Sequence, residues 1–330
     1  MQTMTVGFLI RKMDQKWIHE IEQLRRDYPQ HTFLSPEETE KATIIGQSDI
    51  LVVMVLKEAE AEKAERLKVL FVPFVGVNAL PLHYCRENGI RVSNTHWNAS
   101  FVAEKALGLT LDLLGRTTHF HNLLSKGIWG GFLSKSPENQ NWDSLFEKKC
   151  TILGYGSIGR ELAKLLCPFR CDITGYKRRV PDRTPDDVNR ITSNLEEALD
   201  SAEIVYITLP LTKATENLFN IENMHLLENK YVVNVGRGRI VEEAPFYNAL
   251  RNGMIKGAAI DVWYQYPKEE SVRFPSTFPF HMLGNVVISP HTASDAKEGL
   301  GLWVDTTVSR LRAYLDNGTL ENEVDLSREY

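Results

Sequence analysis

The sequence predicts an α/β protein of two doubly wound parallel-sheet domains, one inserted in the other. Three observations lead there. At 330 residues the chain stands at the upper end of what one hydrophobic core organises, so two domains of roughly 100 to 200 residues are expected. Short apolar runs alternate with longer polar-apolar periodic segments, the pattern of βαβ units around a buried parallel sheet. That alternation breaks off in a polar stretch and starts afresh near Lys149.

In the N-terminal third, residues 5–10, 50–55 and 69–72 read as strands, each followed by a helical segment at 15–28, 58–67 and 79–88. Residues 100–115 form one long helical segment, with Val102, Ala106, Leu109, Leu113 and Leu114 along a stripe and Asp112 off it. Residues 127–142, rich in Gly, Ser, Asn and Trp, have little periodicity and read as an exposed connection or arm. Candidate strands then follow at 150–153, 172–176, 203–209, 231–235, 258–262 and 286–289, with a helix at 157–166 after the first. They outline a second, complete doubly wound sheet. A last helix over 295–315 is long enough to return to the first domain. The expected division is residues 1–101 with 299–330, enclosing 102–298.

Lys and Arg number 38 against 43 Asp and Glu, a net charge of −5, so no global positive field draws the chain to nucleic acid or anionic lipid. A small-molecule partner is expected instead. Hydrophobic residues at 43% and charged residues at 25% exclude a disordered or collagen-like chain. The longest apolar run, residues 50–56, is far short of the ~20 residues that cross a bilayer, and suits a buried strand. Residues 1–15 place their charges after a short apolar stretch and lack a small-residue cleavage site, so the cytoplasm is the expected location. Four cysteines, Cys85, Cys150, Cys167 and Cys171, include no Cys-x-x-Cys pair and read as free thiols of a reducing compartment. His119 and His121 would stand about 200° apart on a helix. No His-Glu-x-x-His element occurs, and no metal is expected.

Gly154-Tyr155-Gly156-Ser157-Ile158-Gly159 follows the apolar run Thr151-Ile152-Leu153 and opens the helix at 157–166. In that strand-turn-helix setting the glycines allow a tight turn, close approach of a pyrophosphate to the backbone, and helix-on-strand packing. The helix N-terminus adds N–H donors and a positive dipole end. Dinucleotide binding by a Rossmann domain is therefore expected, with a purely structural Gly-rich turn as the alternative. About 20 residues further on, an NAD site normally places Asp or Glu on the ribose 2′-hydroxyl. Here the strand ends Gly175-Tyr176-Lys177-Arg178-Arg179, three cations and no acid. Lys177, Arg178 and Arg179 suit a 2′-phosphate, so NADP is expected ahead of NAD. A solvated basic turn is the bland alternative.

With these residues in place the chain resembles the D-isomer-specific 2-hydroxyacid dehydrogenase superfamily, which includes glyoxylate/hydroxypyruvate reductases, phosphoglycerate dehydrogenase and formate dehydrogenase. The matching elements run in family order: Asn94-Thr95, Val102-Ala103-Glu104, the glycine motif, Leu209-Pro210-Leu211-Thr212, Asn234-Val235-Gly236-Arg237-Gly238, Ala259-Ile260-Asp261-Val262 and Ser289-Pro290-His291-Thr292. The resemblance implies a flavodoxin-like substrate domain holding a Rossmann cofactor domain, in a homodimer built on the latter. It implies that Arg237 holds the substrate carboxylate and carbonyl oxygen, and that His291 delivers or removes the proton of the carbonyl oxygen as hydride moves. It places Gly154, Gly156, Ser157, Ile158 and Gly159 at the pyrophosphate, and Leu209, Pro210, Thr212, Thr215, Val235 and Gly236 along the dinucleotide. Asp261 would contact the nicotinamide amide side, although a strand-end acid capping a neighbouring loop is a fair alternative. Val75 and Gly76, in Phe74-Val75-Gly76-Val77, would offer backbone amides to the substrate carboxylate, an approach glycine permits.

Two departures from the family stand out. The glutamate that precedes a proline five positions after the Asp-Val aspartate is missing, and Tyr266 precedes Pro267 there. That glutamate favours the charged histidine; a tyrosine can orient the ring but brings no charge near neutral pH. Formate dehydrogenases carry glutamine at this position, and a one-residue shift of the loop would present Gln265; Glu269 and Glu270 are further candidates. The second departure is His96-Trp97, where relatives have a plain turn. Trp97 either walls the substrate pocket or anchors the following helix. The reading is hydride exchange between NADP(H), or alternatively NAD(H), and a small 2-oxo or 2-hydroxy acid. Its rivals are a formate- or phosphite-type dehydrogenase and a cofactor-sensing protein without turnover.

Overall fold

The computed structural model describes residues 3–10, 13–131, 141–267 and 274–328. The chain divides into two compact units, Met1–Asn98 with Lys297–Tyr330, and Ala99–Ala296.

The first unit runs β1 (Thr5–Leu9), α1 (Gln15–Asp27), β2 (Thr32–Leu34), α2 (Lys41–Gln47), β3 (Ile50–Val53), α3 (Glu58–Ala61), β4 (Val69–Val72), α4 (Leu82–Glu87) and β5 (Arg91–Asn94). Its sheet has the order β2-β1-β3-β4-β5 with every pair parallel. β3 and β4 are buried along their whole length, which is why they read as unbroken apolar runs. α1 starts where the Asp14 carboxylate accepts the Trp17 N–H at 3.0 Å, and it buries Trp17, Ile21 and Leu24 along one stripe. The C-terminal helix, Leu302–Asn317, lays Val304, Val308, Leu311 and Leu315 into the same cluster as Val6, Trp17 and Ile21.

Several expected boundaries need correction here. The last helix does not begin at 295, because a 3-10 turn at Lys297–Gly299 and the left-handed Gly301, at φ +91°, precede it. The helix expected over 58–67 stops at Ala61, and the chain continues in i→i+3 bonds from Lys63 to Glu60, Ala64 to Ala61 and Leu67 to Ala64. α4 is shorter than 79–88 because Pro81 marks its N-terminus. The short strands β2 and β5 were not expected, since Thr32, Arg91, Ser93 and Asn94 interrupt their apolar character.

The second unit runs α5 (Ala99–Gly115), α6 (Thr117–Leu124), β6 (Lys149–Leu153), α7 (Ser157–Leu166), β7 (Asp172–Tyr176), β8 (Arg190–Thr192), α8 (Leu195–Leu199), β9 (Ile204–Ile207), β10 (Tyr231–Asn234), α9 (Glu243–Arg251), β11 (Gly257–Ile260) and β12 (Val286–Ile288). Its parallel sheet has the order β12-β11-β10-β9-β6-β7-β8. All six expected strands are present; β8, three residues opening on Arg190, is an addition at the sheet edge. α5 buries Val102, Ala106, Leu109, Leu113 and Leu114, and ends at Arg116, whose φ of +51° turns the chain into α6. Part of the expected arm at 127–142, residues 132–140, lies outside the described residues. Strand order reverses at β6, with β7 on one side and β9 on the other, and the carboxyl ends of β6 and β9 therefore flank the crevice where such sheets take ligands. Among the described residues no helix is long and apolar enough to cross a membrane.

Candidate active site

The glycine turn after β6 sits at that reversal, and its three glycines are there for different reasons. Gly154 has φ +102°, and an added Cβ would lie 2.8 Å from the Leu209 nitrogen. A Cβ on Gly159 would lie 2.7 Å from the Gly154 oxygen. Both are demanded by the protein's own packing. At Gly156 the nearest atom to such a Cβ is 3.9 Å away, and the residue is exposed, so the turn is open there to a group from outside. Gly156 is also the N-cap of α7 and supplies no side-chain cap. Among the first N–H groups of this ten-residue helix, those of half-buried Ile158 and of Gly159 face the N-terminal end, where a helix favours an anion. Thr208, just after β9, fixes the turn by donating to the Gly154 oxygen at 2.8 Å.

The loop after β9 crosses the same opening. Leu209 and Pro210 are half-buried. Thr215 accepts from the Thr212 N–H at 2.8 Å and donates to the Pro210 oxygen at 2.6 Å, so its hydroxyl shapes the loop. Val235 is 5% exposed with its side chain in the core, which leaves backbone as what it offers. Lys177, Arg178 and Arg179, after β7, are all exposed.

Arg237, Asp261 and His291 follow the carboxyl ends of three neighbouring strands, β10, β11 and β12. Arg237 is seated by two close approaches: a Cβ on Gly236 would lie 2.7 Å from the Leu209 oxygen, and one on Gly238 would lie 2.4 Å from the Trp263 oxygen. Asn234 braces the turn, accepting from the Gly236 N–H and donating to the Arg237 oxygen, each at 3.1 Å. The Arg237 guanidinium donates to the Gly236 oxygen at 2.7 Å, and burial lowers its pKa while the Tyr266 phenol opposes that. A desolvated guanidinium with donors to spare is a strong carboxylate receptor.

His291 is held in the left-handed region at φ +59°, a strained position that must be fixed from outside. Asp261 fixes it. Its carboxylate, 0% exposed, accepts the N–H groups of Thr292 and Ala293, both at 3.1 Å. Its oxygens are thus engaged in the capping role that the sequence left open beside a cofactor contact. Trp263 adds a second brace, donating its indole N–H to the Ser289 oxygen at 2.8 Å.

Tyr266 is the residue that meets the histidine: the two ring centroids are 5.2 Å apart at 49°. Its phenol oxygen accepts the Trp263 N–H at 3.2 Å, and its pKa is raised, first by burial. Gln265 turns the other way, donating its amide to Thr277 at 2.9 Å, because the N–H groups of Tyr264 and Gln265 both bond to the Pro275 oxygen. Glu269 and Glu270 lie outside the described residues. The His291 pKa is lowered, first by desolvation and then by the Arg237 guanidinium, against smaller opposing effects of Asp261 and Asp295. Both leading effects favour the uncharged imidazole.

The other predicted residues lie in the first unit. After β4, the Val75 oxygen accepts from the Asn94 amide at 2.7 Å, and Gly76 is half-buried. Trp97 donates its indole N–H to the Pro73 oxygen at 3.0 Å, tying it to the loop that carries Val75 and Gly76. Phe74 stacks on Trp303 at 5.6 Å. Sequence reasoning missed the bracing role of Asn234 and the hydrogen bond from Tyr155 to Asp187. The Asn-x-Gly spacing hinted at the first; nothing local signals the second. Among the described residues no group of three or more His, Cys, Asp or Glu is placed to hold a metal.

Comparison with known proteins identifies the lineage of this arrangement. Residues 107–293 match the family model described as D-isomer specific 2-hydroxyacid dehydrogenase, NAD binding domain. A glyoxylate/hydroxypyruvate reductase A of Arabidopsis thaliana is 32% identical over 248 residues, covering 74% of each chain. A glyoxylate reductase of Thermofilum pendens is 30% identical over 291 residues, 85% of this chain and 82% of the relative. The chain spans a smaller share, 52%, of a D-3-phosphoglycerate dehydrogenase of Methanocaldococcus jannaschii. A crystal structure of a Pyrococcus horikoshii OT3 protein superposes with a TM-score of 0.83 at 28% identity, over 98% of this chain and 96% of that one. The chain belongs to the D-isomer-specific 2-hydroxyacid dehydrogenase family of NAD(P)-dependent oxidoreductases acting on CH–OH donors.

Proposed function

We propose that the protein exchanges hydride between NADP(H) and a small 2-oxo or 2-hydroxy acid. The observation that carries this is the convergence of Arg237, Tyr266 and His291 after adjacent strand ends, with Arg237 packed through Gly236 onto the loop that also presses on Gly154. The open turn at Gly156 and the uncapped helix behind it fit a pyrophosphate, and Lys177, Arg178 and Arg179 fit a 2′-phosphate. A bound nicotinamide supplies or receives the hydride. Arg237 holds the substrate carboxylate and polarises the carbonyl. His291 gives a proton to the carbonyl oxygen in reduction and takes it from the hydroxyl in oxidation. In the first unit, the loop of Val75 and Gly76 carries backbone amides of the kind that suit a carboxylate, and Trp97 is tied to that loop through the Pro73 oxygen. The test is a panel of glyoxylate, hydroxypyruvate, pyruvate and bulkier 2-oxo acids with NADPH and NADH, beside formate and phosphite with the oxidised cofactors. Turnover of 2-oxo acids with NADPH supports the reading; turnover of formate or phosphite alone contradicts it, as does cofactor binding without any turnover.

Two further expectations arise from the same residues. Neutralising the cations in Lys177→Ala/Arg178→Ala/Arg179→Ala weakens NADPH by roughly 10- to 100-fold, with a smaller salt dependence, and leaves NADH within a fewfold; fluorescence titration at two ionic strengths measures this. Because His291 is held below its ordinary pKa, the reduction rate falls as pH rises above mildly acidic values, whereas oxidation, which needs the neutral ring, does not. A flat reduction profile from about pH 5 to 8 would contradict this. Tyr266→Glu supplies the missing charge and moves the reduction profile about one to two pH units upward.

The protein is also proposed to form a homodimer through its second unit and to work in the cytoplasm. Leu111, Leu124, Ile128, Trp129 and Trp142 are large apolar residues with 41 to 62% of their surface exposed, more than a lone subunit normally leaves bare in one region of sequence. The free thiols of Cys85, Cys150, Cys167 and Cys171 suit a reducing compartment.

A further inference from the structure

The segment bearing the three cations lies at the surface. Residues 177–184 are all exposed and contain no regular element before β8. At its start the Lys177 N–H donates to the Thr192 oxygen at 3.0 Å. Further ties gather at the far end, where Val188 is 7% exposed within the core and Asn189 exchanges two hydrogen bonds with Ile173, at 2.7 and 2.9 Å. Between these lies Asp187. Its oxygen accepts from the Cys167 thiol at 3.8 Å, and its carboxylate accepts from the Tyr155 hydroxyl at 2.6 Å.

Tyr155 is the residue between the first two glycines of the turn. Its N–H donates to the Tyr176 oxygen at 3.0 Å. Its ring lies against Gly175, where an added Cβ would come within 3.1 Å of it, and it is 2% exposed. One residue thus has its backbone in the pyrophosphate turn, its ring on the strand that leads to the cations, and its hydroxyl on the segment beyond them.

We propose that the Tyr155–Asp187 hydrogen bond positions the Lys177–Arg179 segment against the glycine turn, and so sets the preference for a dinucleotide that carries a 2′-phosphate. The inference rests on the NADP reading above. A 2′-phosphate brings roughly two negative charges, and a carboxylate free to swing on the same segment would repel it. The phenol holds Asp187 inward and takes up part of its charge. Burial and the Asp187 charge both raise the Tyr155 pKa, so the hydroxyl stays a donor throughout the working pH range. Tyr155 and Asp187 are positioning residues: they act through the cations rather than on the cofactor.

The experiment is a double-mutant cycle of Tyr155→Phe and Asp187→Ala in the full chain, with dissociation constants for NADPH and NADH from fluorescence titration and thermal melting recorded alongside. Tyr155→Phe keeps the ring on Gly175, so the fold is retained. The expected result is roughly five- to tenfold weaker NADPH binding with NADH changed less than twofold, and no further effect of Tyr155→Phe once Asp187 is alanine. Equal weakening of both cofactors, no weakening, or an undiminished effect in the Asp187→Ala background overturns the proposal. A wild-type chain that binds NADH more tightly overturns the NADP reading and this inference with it. A wild-type preference for NADPH that survives both substitutions overturns the inference alone.

Discussion

His291→Gln lowers kcat for 2-oxo acid reduction on the order of 10²- to 10⁴-fold, the usual worth of a positioned acid, and leaves NADPH affinity nearly unchanged. The reason is geometric. The imidazole hangs from a left-handed backbone position that Asp261 holds through two N–H groups and Trp263 through the Ser289 oxygen. On the proposed function the imidazole serves the reaction rather than the fold, so its removal is expected to cost rate rather than stability. Steady-state kinetics with a melting curve separates the two; a variant that keeps more than about a tenth of wild-type kcat would refute His291 as the proton donor.

Arg237→Ala lowers kcat/KM for the same substrates by roughly 10²- to 10³-fold, as expected when the receptor of a desolvated carboxylate is deleted. Arg237→Lys recovers only part of this, since an ammonium cannot reproduce the fork of donors. A second signature accompanies the loss. The Arg237 charge lowers the His291 pKa, so its removal lets that pKa rise, and the residual reduction rate of Arg237→Ala persists to higher pH than the wild type. A loss of rate with the pH profile unmoved would mean that the two groups are not electrostatically linked.

The features legible in the sequence are those whose cause is local. β3 and β4 announce themselves because every side chain is buried, and the glycine turn because its three glycines are spaced within one strand, turn and helix, although what presses on Gly154 is Leu209 from the loop after β9. Arg237 and His291 follow from resemblance rather than from residue pattern, since an arginine between glycines has no signature of its own. The strands β5 and β8 are hidden by Arg91 and Arg190, edge-strand residues that pair through backbone while their side chains face water. The choice between Gln265 and Tyr266 is not legible either, because it depends on where Pro275 meets the backbone of residues 264 and 265. Asp261 is likewise a long-range matter: its partners, Thr292 and Ala293, lie more than thirty residues on and are brought to it by the pairing of β11 with β12. The bond from Tyr155 to Asp187 spans 32 positions and forms only when the chain is folded.

The central claim, hydride transfer between a nicotinamide and the second carbon of a 2-oxo acid, is tested most directly by isotope. Purified protein is given NADPH deuterated at the transferable position together with hydroxypyruvate or pyruvate, and the product is analysed by mass spectrometry and chiral chromatography. The expected product is a D-configured 2-hydroxy acid carrying the deuterium on its second carbon, and the His291→Gln and Arg237→Ala proteins accumulate roughly 100-fold less of it, or lower still, over the same interval. An unlabelled product, a product of the opposite hand, or oxidation of the cofactor with no 2-hydroxy acid formed would contradict it.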